Sequence, residues 1–222
     1  MGEAGNYCRW IIRQFAPFIG REILEVGAGV GTFAGHLLST FPSSKHHLTL
    51  LEPANNLLPV LQKRFGENTR VTVHQGTLEA HAGGLTPDTA IMVNVLEHVQ
   101  EDSACLSLLH RILQPGGHLL LLVPALSWEY GSLDTAFGHF RRYNRRELEQ
   151  QLRKAGFEIR KIRFMNLPGV AAWYFAGKIL RQKTLRPAAV RFYDRWVIRP
   201  WSRCEDVWNP PLGQNLLAVA RK

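Results

Sequence analysis

Short apolar runs separated by helix-patterned stretches constrain this chain more than any other feature. EILEV covers Glu22 to Val26, LTLLE Leu48 to Glu52, RVTVH Arg70 to His74, AIMVNV Ala90 to Val95 and HLLLLV His118 to Val123. Successive side chains of a strand point to opposite faces, so a strand apolar at almost every position belongs to a sheet covered on both sides. Helical spacing fills the intervals at about Val30–Thr40, Ala54–Phe65 and Asp102–Leu113, and Pro115-Gly116-Gly117 stops the last of these. Strand–helix alternation of this kind predicts a doubly wound α/β domain with a largely parallel sheet.

The flanks follow other rules. Residues 6–18 carry apolar positions at helical spacing and stop near Pro17. Residues 125–145 mix aromatics, glycine and arginine with no clean period. RRELEQQLRKAGF (Arg145 to Phe157) reads as an amphipathic helix with a glycine stop, and EIRKIRFMN alternates as a strand. Residues 168–203 predict one or two basic, aromatic-bearing helices, and NLLAVARK (Asn215 to Lys222) a last strand. With 222 residues the chain suffices for one well-cored domain, its core expected over 20–124, 145–165 and 213–222.

Charge is unevenly placed. Residues 1–138 hold 8 Lys+Arg against 12 Asp+Glu, and residues 139–222 hold 19 against 6. Either the last third has a solvated basic surface, or it meets something anionic: an acidic substrate, a lipid surface or RNA. Cys8, Cys105 and Cys204 lie far apart, with no CxxC pair and no histidine at ligand spacing. No metal site and no disulfide framework are expected, and a reducing compartment is. The start lacks a signal-peptide pattern, Asn6 stands where a myristoylation signal wants Ser or Thr, and the apolar run from Leu119 to Leu126 is too short to span a bilayer. The expected location is cytoplasmic, with peripheral membrane contact as an option for the basic helices.

The chemistry-bearing motif is EVGAGVG, Glu25 to Gly31, between a strand and a helix. Glycines at 27, 29 and 31 permit a tight turn and close approach of a ligand. The dinucleotide fingerprint needs glycine at position 32, where Thr32 stands, which argues against a nicotinamide or flavin enzyme. Glu52 ends the second strand about twenty residues later, where a carboxylate accepts both hydroxyls of a ribose. The plainer alternatives are a tightly packed turn and a surface acid before Pro53.

With these residues in order, the sequence resembles the class I S-adenosylmethionine-dependent methyltransferases, particularly the bacterial small-molecule type (type 11/12-like). ILEVGAGVG, LLEP, NVLEHV (Asn94 to Val99), LQPGGHLLLLVP (Leu113 to Pro124) and GHFRRYNRRELEQQLRKAGF (Gly138 to Phe157) carry the resemblance. It implies a Rossmann-like, seven-stranded, mostly parallel sheet with an antiparallel last strand, and a helical cover from the C-terminal third. It also implies a single domain over 1–222, with an N-terminal lid at about 1–19 and acceptor-side insertions at about 125–144 and 166–212. The implied cofactor is S-adenosyl-L-methionine. Gly27, Ala28 and Gly29 would face its methionine moiety, with Glu25 supporting the turn. Glu52 would hold the ribose, with Pro53 beside the adenine. Gly76, Thr77 and Leu78 match the loop bordering the adenine; Thr77 replaces the family's frequent acid there, leaving Glu79 or backbone to make that contact. Asn94 and Val95 would lie near the sulfonium, Leu96 and His98 on the same wall, and Tyr7 and Trp10 in the lid.

The implied acceptor is a small molecule, anionic, lipid-linked or sugar, methylated on O, N or C. An oxygen acceptor needs a base. His139, in the loop after the fifth strand, is the candidate, with Asp134 to orient or replace it; His98 is alternatively a packed wall residue. Arg141 and Arg142 read either as helix decoration or as a clamp for an acidic acceptor, and Tyr143 as packing or pocket wall. Trp128, Tyr130, Trp173 and Tyr174 read as core or as an aromatic wall. NPPL (Asn209 to Leu212) resembles the motif of amino-group nucleic-acid methylases, but it does not follow the fourth strand and ends in leucine. A DNA partner is therefore not expected. An RNA methyltransferase and a non-catalytic cofactor-binding or assembly protein remain the alternatives.

Overall fold

The computed structural model describes residues 4–222, so the first three residues of the expected lid, and the Met1-Gly2 start, lie outside the described residues. Seven strands form one sheet in the order β3-β2-β1-β4-β5-β7-β6. They are β1 (Glu22–Val26), β2 (His47–Glu52), β3 (Val71–Gln75), β4 (Thr89–Val93), β5 (His118–Pro124), β6 (Glu158–Met165) and β7 (Asn215–Arg221). Pairings from β3 through β5 are parallel, whereas β7 runs antiparallel to both β5 and β6. This is the mostly parallel, doubly wound sheet with an antiparallel last strand.

Among the described residues ten α-helical segments accompany it: α1 (Gly5–Phe15), α2 (Thr32–Thr40), α3 (Leu58–Phe65), α4 (Leu78–His81), α5 (Asp102–Ile112), α6 (Ser132–Phe137), α7 (Arg145–Lys154), α8 (Leu167–Trp173), α9 (Pro187–Tyr193) and α10 (Arg199–Val207). The central strands explain the sequence pattern. In β5, Leu119, Leu121 and Val123 enter the apolar layer holding Leu106 and Leu109 of α5 and Leu148 and Leu152 of α7. Leu120 and Leu122 point the other way, into the layer holding Ile11 and Phe15 of α1 and Phe33 and Leu37 of α2. Each fully buried leucine contributes about 1.5–3 kcal/mol relative to exposure, so β5 alone anchors both layers.

Several boundaries shift for identifiable reasons. The second helix begins at Thr32 rather than Val30, because residues 27–31 are held in the turn. The third begins at Leu58 after a turn at 55–57. β4 stops at Val93, since Asn94 takes φ 53° and leaves the strand. The helix expected to reach Phe157 ends at Lys154, and Gly156 at φ 99° turns the chain into β6. α6, within the segment without period, is a helix the pattern does not announce.

Residues 167–207 form two interrupted helices. α8 continues as a π-turn over Tyr174–Ile179, and α9 continues through a π-turn at Asp194–Ile198 into α10. Acids hold this cover to α1. The Asp194 carboxylate accepts from the backbone N–H groups of Asn6 and Tyr7, both at 2.9 Å, supplying the first-turn donors of α1 with partners. Asp206 accepts from Trp10 Nε1 at 3.0 Å and Gln14 Nε2 at 2.7 Å, and pairs with Arg13 at 2.8 Å.

Candidate functional site

The glycine turn is pinned to the neighbouring strand: the N–H groups of Gly27 and Ala28 donate to the Leu51 carbonyl at 2.8 and 3.0 Å. Gly27, Gly29 and Gly31 all lie in the left-handed region. A Cβ on Gly27 would press on Val95, and one on Gly31 would strike the Phe65 ring, so those two glycines serve packing. At Gly29 a Cβ would meet nothing within 4 Å, so this point of the turn faces open space. It lies where the strand order reverses between β1 and β4, the crevice where open α/β sheets take ligands.

Glu52, buried at the end of β2, accepts from Gly29 N–H at 2.7 Å through Oε2 and from Ala54 N–H at 2.9 Å through Oε1. Glu25 lies deeper. Burial pushes its carboxyl up to about 8 despite the opposing Arg64, and its Oε2 has no hydrogen-bond partner among the described residues. On the far side, Gly76 N–H donates to the Glu52 carbonyl at 3.0 Å. Pro53, Thr77 and Glu79 are exposed there, and Leu78 is buried in the core. Val95 packs on Gly27, while Leu96 points away from the crevice into the core below the sheet.

Beyond Asn94 the crevice gives way to a cavity of about 640 Å³. Tyr7, Asn94, Pro124, Asn166, Gln214 and Asn215 border it on the sheet side, and α8, α9, their π-turns and the loop between them close the opposite wall with Ala172, Trp173, Ala176, Leu185, Ala189 and Ile198. Tyr7 Oη donates to Asn215 Oδ1 at 2.7 Å, and Asn215 Nδ2 reaches Asn94 Oδ1 at 3.4 Å. Trp10 is fully buried against α10 and does not reach this wall.

A charged cluster forms the other side of the cavity. Gly138, left-handed at φ 76°, ends α6 and turns the chain; His139 N–H then donates to the Asp134 carbonyl at 2.9 Å and Phe140 N–H to the Glu97 carbonyl at 2.8 Å. These bonds lay His139 beside Glu97 and His98. His139 Nδ1 is 2.9 Å from Asp134 Oδ1, its Nε2 4.0 Å from Glu97 Oε1, and its ring meets that of His98 edge-on at 4.9 Å. Burial would raise Asp134, but bonds from His139 and Trp173 and the charge of Arg142 hold it below its ordinary range. Burial lifts Glu97 to about 8, and burial together with His139 lowers His98.

Arg142 lines the cavity but is committed elsewhere: it pairs with Glu129 and, at 3.2 Å, with Asp134, and covers the Trp173 ring at 5.5 Å. Its charge is met by these two carboxylates, while its Nε and Nη2 have no hydrogen-bond partner among the described residues. Tyr143 is buried, its hydroxyl near the Leu96 carbonyl at 3.2 Å and Asp102 at 3.0 Å, which is the packing alternative. Tyr130 donates to the His139 carbonyl at 2.7 Å and so braces that loop from outside the cavity wall. Trp128 is exposed against Tyr174. Of the residues expected around the acceptor, His139, Arg142 and Trp173 reach the cavity, joined by His98. Sequence reasoning missed Glu97, although it stands inside the quoted NVLEHV motif, and also Asn166, Gln214 and Asn215, which carry no motif.

A sequence profile described as a methyltransferase domain matches residues 3–162. No curated protein matches the chain in sequence. Among solved structures, an S-adenosylmethionine-dependent methyltransferase from Mesorhizobium loti is 15% identical, with TM-score 0.64 over 99% of this chain and 98% of that one. The N-methyltransferase NodS from Bradyrhizobium japonicum, in complex with S-adenosyl-L-homocysteine, is 11% identical, with TM-score 0.60 over 96% and 84%. A cyclopropane synthase from Mycobacterium tuberculosis is 15% identical, with TM-score 0.62 over 96% and 82%. At these identities the likeness is one of fold.

Proposed function

The chain belongs to the methyltransferase-domain family, and from that premise we propose that it methylates an apolar, lipid-linked small molecule held in the cavity beyond Asn94. The methyl donor is S-adenosyl-L-methionine, whose sulfonium supplies a good leaving group for in-line transfer. The residues present fit it. Gly29 offers an open backbone, and each oxygen of Glu52 retains a lone pair for a ribose hydroxyl beyond its backbone donor. The bare Oε2 of Glu25 suits the donor's ammonium. Gly27, Ala28, Asn94 and Val95 belong to the same grip, with Pro53, Gly76 and Thr77 at the adenine end. Tyr7 closes the passage, and Trp10 fixes α1 rather than touching the donor.

The observation that carries this reading is continuity: Asn94, at the end of β4 beside the glycine turn, is also part of the cavity wall. A donor gripped at Glu52 would present its reacting end to whatever fills that cavity. The wall is mostly apolar, and its lining cation Arg142 is already paired, which supports an acceptor without an anionic reacting end. The protein's task is then alignment and exclusion of water. For a hydroxyl acceptor His139 is the group assigned to activate it, with Asp134 fixing the ring.

The lipid link is supported by the rim. Phe175, Ile179, Leu180, Phe192 and Trp196 are exposed on the helices that close the cavity, interspersed with exposed Lys178, Arg181, Lys183, Arg186 and Arg195. Apolar side chains set among cations suit an anionic bilayer surface. No helix of the described residues is long and apolar enough to cross a membrane. The test supplies methyl-labelled donor with a total lipid extract in anionic vesicles. Label entering the organic phase is expected; label appearing only in water-soluble metabolites removes the lipid-linked acceptor. Transfer to RNA instead would favour that alternative reading.

A further inference from the structure

Glu97 is fully buried, and neither of its carboxylate oxygens has a hydrogen-bond partner among the described residues. A carboxyl stripped of water and given no donor either keeps its proton or gives it up to a cation that takes its place. His98 and His139 stand next to it, and one ligand atom from each of the three residues lies within 4.8 Å of the others. The 4.0 Å between His139 Nε2 and Glu97 Oε1 is too long for a hydrogen bond. Two ligands about 2.1 Å from a shared tetrahedral ion stand about 3.4 Å apart, so small side-chain rotations close the gap.

The surroundings fix which nitrogens are bare. His139 Nδ1 faces Asp134 Oδ1 at 2.9 Å, and His98 Nδ1 faces the Gly138 carbonyl at 3.2 Å. An ionised carboxylate and a carbonyl only accept, so both rings carry their proton on Nδ1 and keep a lone pair on Nε2. A carboxylate or carbonyl behind each imidazole is the arrangement that orients histidine ligands on metals. Asp134 is itself held by Gly131 N–H at 3.0 Å and Trp173 Nε1 at 3.1 Å.

We infer that Glu97, His98 and His139 form a three-ligand site for a divalent transition-metal ion, with open coordination positions facing the acceptor cavity. Two imidazoles and one carboxylate select iron-to-zinc-type ions over magnesium or calcium. The sequence hides the site because Glu97 and His98 are adjacent and His139 arrives from a distant loop. Its chemical role rests on the proposed function: the acceptor would be a hydroxyl, binding through oxygen at an open position. There the acceptor oxygen loses its proton to water, and its lone pair forms the O–CH₃ bond as the C–S bond breaks and leaves its pair on sulfur. No oxidant or reductant is needed. His139 then acts by holding the ion rather than by taking the proton itself.

The test titrates Co²⁺ and Zn²⁺ into the chelator-treated full chain, read by calorimetry and by the visible absorption of bound Co²⁺, with S-adenosylhomocysteine binding measured on the same samples. One equivalent of metal is expected, with Co²⁺ bands of a nitrogen–oxygen site. Glu97→Gln and His139→Ala should each weaken it by more than the roughly 10–100-fold that loss of an outer-shell partner costs. His98→Ala serves as a further variant should either of those fail to fold. Wild-type protein that binds S-adenosylhomocysteine but takes up no metal, or variants that bind metal as well as wild type, overturns the site and leaves the cofactor reading intact. Metal uptake without S-adenosylhomocysteine binding would instead support the site and sink the cofactor reading.

Discussion

Glu52→Ala tests the donor grip most directly. The carboxylate accepts from Gly29 N–H at 2.7 Å and Ala54 N–H at 2.9 Å, one on each oxygen. Two ribose hydroxyls taken up on the remaining lone pairs would form charge-assisted bonds worth about 1.5–3 kcal/mol each. Losing both removes about 3–6 kcal/mol of binding free energy, a roughly 10²- to 10⁴-fold weaker Kd. The same substitution frees two backbone donors, at a cost of about 1–3 kcal/mol in stability, so denaturant unfolding must accompany the binding assay. Glu52→Gln separates the effects. Its amide keeps one acceptor oxygen but turns an NH₂ toward a backbone N–H, and an intermediate loss of about 10- to 100-fold is expected. Calorimetry with S-adenosylmethionine and its demethylated form reads both variants. A folded Glu52→Ala protein whose Kd stays within about threefold of wild type would refute the assignment of Glu52 to the ribose.

Two further outcomes follow from geometry. Asp194→Ala strips the acceptor from the first donors of α1 and should cost about 1–3 kcal/mol. Amide exchange of α1 should accelerate while the central strands stay protected, and equal protection of α1 in both proteins would contradict the cap. Glu25 has its carboxyl raised from 4.5 to about 8, so it is neutral in the folded chain and ionised in the unfolded chain between those values. The stability of the free protein that is present at low pH is therefore lost as pH rises toward 8, by up to about 1.4 kcal/mol per unit. Glu25→Gln, neutral throughout, should match wild type near pH 5 and exceed it near pH 8 in urea unfolding; parallel pH profiles would show that Glu25 is not neutral when buried.

The sheet was legible because its strands advertise burial on both faces. β1 and the central strands β4 and β5 could be read almost to their ends, since every residue of Leu119 to Val123 has an apolar place to go. Helix starts were less legible, because φ at Gly31 and the turn before Leu58 depend on what the chain packs against. α6 escaped because its pattern serves several ends at once: Asp134 caps the helix, holds His139 and accepts from Trp173. The donor side of the site was readable as local motif. The acceptor side was not, because it is assembled from single residues of β7, α8, α9 and the Gly138 turn. Arg142 and Tyr143 illustrate the limit: adjacent in sequence, one lines the cavity while the other packs under Leu96. An arginine's partners, here Glu129 and Asp134, cannot be read from its neighbours in the chain.

The insertion of β7 between β5 and β6 sets an order on assembly during vectorial synthesis. β6 joins the sheet through β7, so until residues 215–221 have left the ribosome, β6 has no neighbour to join and β5 presents a bare edge. Gln214 and Asn215, at the mouth of β7, stay absent from the cavity wall for the same interval. A nascent chain can thus fold its glycine turn and Glu52 early, yet owns no complete acceptor chamber until β7 has emerged. A stop codon shortly before residue 215 would yield a protein with all five parallel strands encoded but without the β7 wall of the cavity.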